Sequence, residues 1–209
     1  MDGGAELRVD VVSSSSTSSE PADQPVFYYD IGDPDCYLVA ERIMGELGGL
    51  GSIPEWEPVH GAQIGITPPA VDPDELAEAV TQAGLQPLRL PRTWPPDSEL
   101  AMLTATYAKG GGRAVAFSLA AFRQVFAGGR DPGDEGTVLI AAAACEMHPN
   151  AVLKGVAMRS VSAALARAGG RAHNAGVREL PAIQIGAAVF SGPRALEQAM
   201  AALRPDVND

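Results

Sequence analysis

Residues 25–59 constrain the fold more than any other stretch. Val26-Phe27-Tyr28-Tyr29, within Pro25 to Ile31, is aromatic and β-branched, as a buried strand is. Gly32-Asp33-Pro34 punctuates it. Cys36, Ala40, Ile43, Met44 and Leu47 then recur at i, i+4, i+7, i+8 and i+11, one apolar face of a helix. Asp33 suits the N-cap of that helix, with Pro34 in its first turn. Gly48-Gly49 ends it. Ile53 to Val59 reads as a second strand, and its prolines predict an edge or irregular position. The chain therefore opens strand, helix, strand.

A helical stretch follows. Asp72-Pro73-Asp74 caps a helix to about Ala83, with Gly84 as its stop. Proline-rich Leu85 to Pro96 is an extended connection. Three helical segments come next. The first is capped by Asp97 or Ser98, faces inward through Leu100, Leu103 and Tyr107, and is broken by Gly110-Gly111-Gly112. The second buries Val115, Leu119, Phe122, Val125 and Phe126. The third opens at Asp134, buries Val138, Leu139, Ala142 and Cys145, and ends at His148-Pro149-Asn150. Asn150 caps a further helix that can continue to Ala168. Pro181 to Gly186 and Ala188 to Phe190 read as strand, turn, strand, and Pro193 starts a last helix through Leu196, Met200 and Leu203.

This order is βαβ, a helical insertion, then αββα. Without the insertion it is the thioredoxin order, an α/β fold. The expected organisation is a low-complexity tail over 1–24, disordered around Ser13 to Ser19, a thioredoxin-fold domain from 25–60 plus 151–209, and a helical insertion over 61–150.

Charge narrows the partners. Fifteen Lys and Arg against 26 Asp and Glu leave 209 residues at −11. Nucleic acid needs a basic stripe, and anionic lipid a polybasic one; neither is expected. The longest apolar run, Val138 to Cys145, falls far short of the ~20 residues of a membrane helix. Met1-Asp2-Gly3-Gly4 lacks the basic start of a signal peptide, and two distant cysteines, Cys36 and Cys145, make no disulfide framework. The expectation is a cytoplasmic protein with reduced thiols.

Phe27-Tyr28-Tyr29-Asp30-Ile31-Gly32-Asp33-Pro34-Asp35-Cys36 resembles the opening of DsbA-like thioredoxin-fold proteins. The resemblance is nearest to the branch of 2-hydroxychromene-2-carboxylate isomerases and kappa-class glutathione transferases. Ala175 to Ile183 resembles that family's cis-proline segment, and Phe190-Ser191-Gly192 its following turn. The resemblance implies thiol-linked oxidoreductase or isomerase chemistry at the start of the first helix, with Asp33 and Cys36 as the catalytic positions. It implies a cis Leu180–Pro181 bond that offers the Leu180 backbone to a ligand. It also implies glutathione or another small thiol as partner, and it leaves a homodimer open.

The residues depart from that pattern. Asp33-Pro34-Asp35-Cys36 stands where redox members carry Cys-x-x-Cys, so an aspartate holds the nucleophilic position. A carboxylate beside a bound thiolate repels it by ~1 kcal/mol or more. Pro193 and Arg194 replace the Ser-Asp pair that holds glutathione in the kappa branch. The site expected is Asp33 and Cys36 for chemistry, with Pro34, Leu180, Pro181 and Arg194 for binding. Asp33 reads as a cap first and a general base second, and a carboxylate held in a cap is a poorer base. Cys36 reads as a core thiol or, if exposed, a single reactive thiol of lowered pKa. A groove that binds a peptide or small anion without catalysis, with Arg194 supplying charge, is the rival reading.

Overall fold

The computed structural model describes residues 24–204 except Pro69; the expected serine-rich tail lies outside the described residues. Four strands form one sheet in the order β2-β1-β3-β4. β1 (Val26–Tyr29) runs parallel to β2 (Glu55–Pro58) and antiparallel to β3 (Ala182–Ile185). β4 (Ala188–Ser191) pairs antiparallel with β3, Ile183 opposite Phe190. β1 is central and its aromatic run is buried, while β2 takes the edge that its proline content allows.

Helix α1 (Pro34–Gly48) joins β1 to β2 with the expected cap and stop: Asp33 at the N-cap and Gly49 at the C-cap. Cys36, Ala40, Ile43 and Leu47 are buried, joined by Tyr37 and Val39. Met44, expected on that stripe, is 37% exposed, because it lies at the stripe's margin. A 3-10 turn (Gly61–Ile64) leads to α2 (Pro73–Gln82), capped by Asp72. The inserted helices follow: α3 (Glu99–Gly110), α4 (Ala114–Phe126), α5 (Glu135–Ala143) and α6 (Pro149–Val156). Helix α7 (Arg159–Ala175) returns to the sheet, and α8 (Ala195–Leu203) closes the chain.

Several boundaries and faces differ from expectation. Ala101, Met102, Ala105 and Ala108 are the buried side of α3, while Leu100, Leu103 and Tyr107 are only half-buried. Helix α3 packs on α4, α5, α6, α7 and β2 at once, so small side chains must face the closest neighbours. On α4, and on α5 with the turn after it, Val115, Leu119, Leu139 and Cys145 are half-buried, not sealed. The helix expected from Asn150 to Ala168 is two helices, and His148 caps the first: its Nδ1 accepts the Asn150 N–H at 3.2 Å. Helix α8 begins at Ala195, with Arg194 as its N-cap, two residues beyond Pro193.

The sheet and the insertion share one apolar core. Trp56 meets Phe27 and Tyr29 edge-on, and Tyr29 continues to Phe122; Tyr37 stacks on Phe126 at 5.5 Å between ring centroids. The Tyr29 hydroxyl is 2.7 Å from Ser118 Oγ. Polar ties repeat the connection. Glu41 accepts from two Arg123 nitrogens at 2.7 Å, and Glu57, on the edge strand, is bridged by Lys109 of α3 and Arg171 of α7. Trp94 packs against this core from the connection before α3.

Candidate functional site at the start of the first helix

The turn between β1 and α1 is built by two aspartates. Asp30 receives the Gly32 N–H on Oδ1 and the Gly61 N–H on Oδ2, both at 2.8 Å. It therefore fixes the loop before α1 to the loop after β2. Asp33 donates its N–H to the Asp30 carbonyl at 3.1 Å. Its own Oδ1 accepts the N–H groups of Asp35 and Cys36 at 2.9 and 3.1 Å, the geometry of a helix cap. Space is tight at Gly32: a Cβ would lie 3.0 Å from Cβ of Ser98. The Ile31 N–H donates to Met102 Sδ at 3.2 Å. Ser98 and Met102 belong to the inserted segment, so the insertion roofs the turn.

Burial sets the chemistry of Asp33. The side chain is buried, at 2% exposure. Burial disfavours the anion and pushes the carboxyl up to about 8, outweighing the two backbone hydrogen bonds that favour it; Asp35 and Asp30 add like charge. A cap alone would stabilise the anion and make Asp33 a poor base. Desolvation by residues distant in sequence reverses that. Asp35 is also raised, first by its own burial and then by the nearby carboxylates of Glu179 and Glu75.

Cys36 is 0% exposed. Its sulfur accepts the Asp30 N–H at 3.5 Å. Burial pushes the thiol well above its ordinary value, and Asp33 adds to the effect. The exposed thiol of lowered pKa expected for a redox role is therefore corrected. The helix start would favour a thiolate, but the sulfur faces the sealed side of the stripe, where a thiolate has no solvation.

The opposite wall comes from the turn before β3. The Leu180–Pro181 peptide is cis, both residues are buried, and the Pro181 carbonyl accepts the Gly192 N–H at 2.8 Å. Beside this wall lies a groove of about 390 Å³, lined by Pro34, Asp35 and Leu38 of α1, by Leu76 and Glu75 of α2, and by Pro193. Of the expected binding residues, Pro34 lines the groove, while Leu180 and Pro181 are buried and do not line it. Arg194 does not line it; it is exposed at the N-cap of α8, next to Pro193, which does. Sequence reasoning missed Asp30, Asp35, Glu75 and Glu179. The capping signal at Asp72 located α2, but not its approach to α1.

A central strand feeding a helix whose start faces a cis-proline turn, with helices inserted between β2 and β3, defines a DsbA-like thioredoxin fold. Solved structures place it more closely. The chain is similar to a 2-hydroxychromene-2-carboxylate isomerase with TM-score 0.74 and 16% identity, over 86% of this chain and 93% of that one. It is similar to a Streptomyces coelicolor protein described as a probable DsbA oxidoreductase, with TM-score 0.67 and 20% identity, over 87% and 88%. A single-substitution variant of Pseudomonas aeruginosa DsbA aligns with TM-score 0.57 and 13% identity, over 88% and 87%. At these identities the likeness is one of fold. No protein-family model matches the sequence, and no curated protein matches it.

Proposed function

We propose that this protein performs isomerase-type proton transfer on a small organic molecule, with Asp33 as the acid–base group, and does not exchange disulfides. One observation carries the reading: the position where redox relatives place a reactive thiol holds a buried carboxyl with a pKa of about 8, while the neighbouring sulfur is sealed. A carboxyl with that pKa is about nine-tenths protonated at pH 7 and exchanges its proton readily, as general acid–base chemistry requires. Asp33 itself does not line the groove; its chain neighbours Pro34 and Asp35 do, and Pro34, Leu38, Leu76 and Pro193 supply apolar contact there. The similarity to an isomerase in overall fold supports the choice.

Glutathione does not fit this reading. The groove is lined by the carboxylates of Asp35, Asp72 and Glu75, its one cation, Arg42, is already paired with Glu46 and Glu197, and Arg194 does not line it. A second reading, a ligand-binding module without chemistry, is favoured by the commitment of Asp33 Oδ1 to the cap.

The test has two parts. Asp33→Asn keeps an oxygen at the cap but carries no titratable proton. A panel of enolisable and cis–trans isomerisable aromatic acids and ketones, 2-hydroxychromene-2-carboxylate included, is assayed from pH 6 to 9.5. The expected result is turnover with a transition near pH 8 that disappears in Asp33→Asn. Binding without turnover selects the second reading. Disulfide reductase activity in Cys145→Ala that is lost on adding Cys36→Ser overturns both.

A further inference from the structure

The larger cavity lies away from this groove, at the opposite end of α3 from Ser98 and Met102. It has a volume of about 530 Å³ and is enclosed by the C-terminal turn of α3, the loop between α5 and α6, and the first turns of α7. That volume falls within the range of small-molecule sites. Its walls are apolar through Tyr107, Met147 and Met158, and Met158 is 51% exposed, an apolar surface that an occupant would cover. Tyr107 is held in place from the other side. Gly155 of α6 packs so closely on its ring that a Cβ there would lie 2.5 Å from two ring carbons.

Two opposite charges line the same cavity. Arg113 stands at the N-cap of α4, and Glu146 lies in the loop after α5. Neither takes part in an ion pair among the described residues, with each other or with a third group. Arg42, Lys109, Arg123 and Arg171 are the described basic side chains that do form ion pairs. Arg113 nonetheless lies close to that loop, since its charge acts on the thiol of Cys145, the neighbour of Glu146.

Glu146 also occupies an unusual backbone position. The Glu146 N–H bonds the Ala143 carbonyl and the Met147 N–H bonds the Ala142 carbonyl, the helix ending in which glycine normally takes the left-handed residue. Glu146 takes it instead, with φ of 59°, and no other non-glycine residue described has positive φ.

From the cavity, its apolar walls and its two unpaired opposite charges, we infer that this is a second ligand site, and that it takes a free α-amino acid with a large apolar side chain. The carboxylate of the ligand meets the Arg113 guanidinium, whose paired N–H groups suit it. The ammonium meets the Glu146 carboxylate. The side chain lies against Tyr107, Met147 and Met158, where thioether and aromatic surfaces adapt to an apolar guest. Arg113 and Glu146 are both exposed at the cavity mouth, where a zwitterion replaces water at both charges and a singly charged ligand at one.

The experiment titrates the full chain with three probes: L-phenylalanine, 3-phenylpropionate, which lacks the ammonium, and phenethylamine, which lacks the carboxylate. Amide chemical shifts report both location and affinity. The expected result is saturable binding of L-phenylalanine with shifts at 106–113 and 146–164. Each single-charge analogue should bind at least tenfold more weakly. Arg113→Gln should abolish the preference over phenethylamine, and Glu146→Gln the preference over 3-phenylpropionate. Glu146→Gly separates binding from folding: it relieves the left-handed backbone, so its melting temperature should equal or exceed that of the wild type while the ammonium preference is lost. Absence of saturable L-phenylalanine binding, equal binding of the three probes, or shifts confined to α1 and α2 each overturns the inference.

Discussion

Asp33 feels two opposed influences, and stability against pH separates them. In the unfolded chain its carboxyl titrates at the ordinary 3.8; in the fold, burial moves it to about 8. Between those values the folded state holds a proton that the unfolded state has lost. Its contribution to stability is therefore complete below pH 3.8, drains as pH rises, and is gone above about 8. The slope is about 1.4 kcal/mol per pH unit. Asparagine keeps the cap and removes the titration. The unfolding free energy of the wild type should thus fall more steeply between pH 5 and pH 8 than that of Asp33→Asn, by that slope. Parallel curves in urea titrations would mean that the cap governs Asp33 and burial does not. Cys36 belongs to the same balance with the opposite outcome. No pH that leaves the protein folded should expose its thiolate, whereas half-buried Cys145 should react first with a thiol reagent.

Helix contacts yield a paired prediction. Gly155→Ala drives a methyl into the Tyr107 ring and must separate α6 from α3, at a cost of about 1–3 kcal/mol. Gly170→Ala, inside α7 with nothing within 4 Å of the added carbon, should stabilise by about 0.5–1 kcal/mol. Thermal denaturation of both variants checks the pair. The same closeness explains which elements the sequence revealed. Helix α1 was legible because Asp33-Pro34 and Gly48-Gly49 are local signals at its two ends. The buried face of α3 was not, because it faces five neighbours and close approach selects Ala101, Ala105 and Ala108 over leucines. The break between α6 and α7 was not legible because Ala157-Met158 contains neither glycine nor proline. The site divides likewise. Its cap could be read from the sequence, but its acidity comes from burial, which only the fold supplies.

At the scale of the whole molecule the inserted helices and the sheet are one body. Tyr29 on Phe122, Tyr37 on Phe126 and Glu41 on Arg123 join them on one side of the sheet. Lys109 and Arg171 meet on Glu57 at the edge strand. The turn before α1 lies inside this body and inherits its rigidity. No described helix is long and apolar enough to cross a membrane. The Asp30 carboxylate has one further consequence, in the kinetics of amide exchange with solvent. Gly32 and Gly61 are loop residues that would ordinarily exchange freely and independently. One carboxylate holds both amides, so neither hydrogen can leave without releasing that group. The two should exchange at a common slow rate near that of the β1 ladder, so that a pair of loop amides reports the opening of the sheet centre.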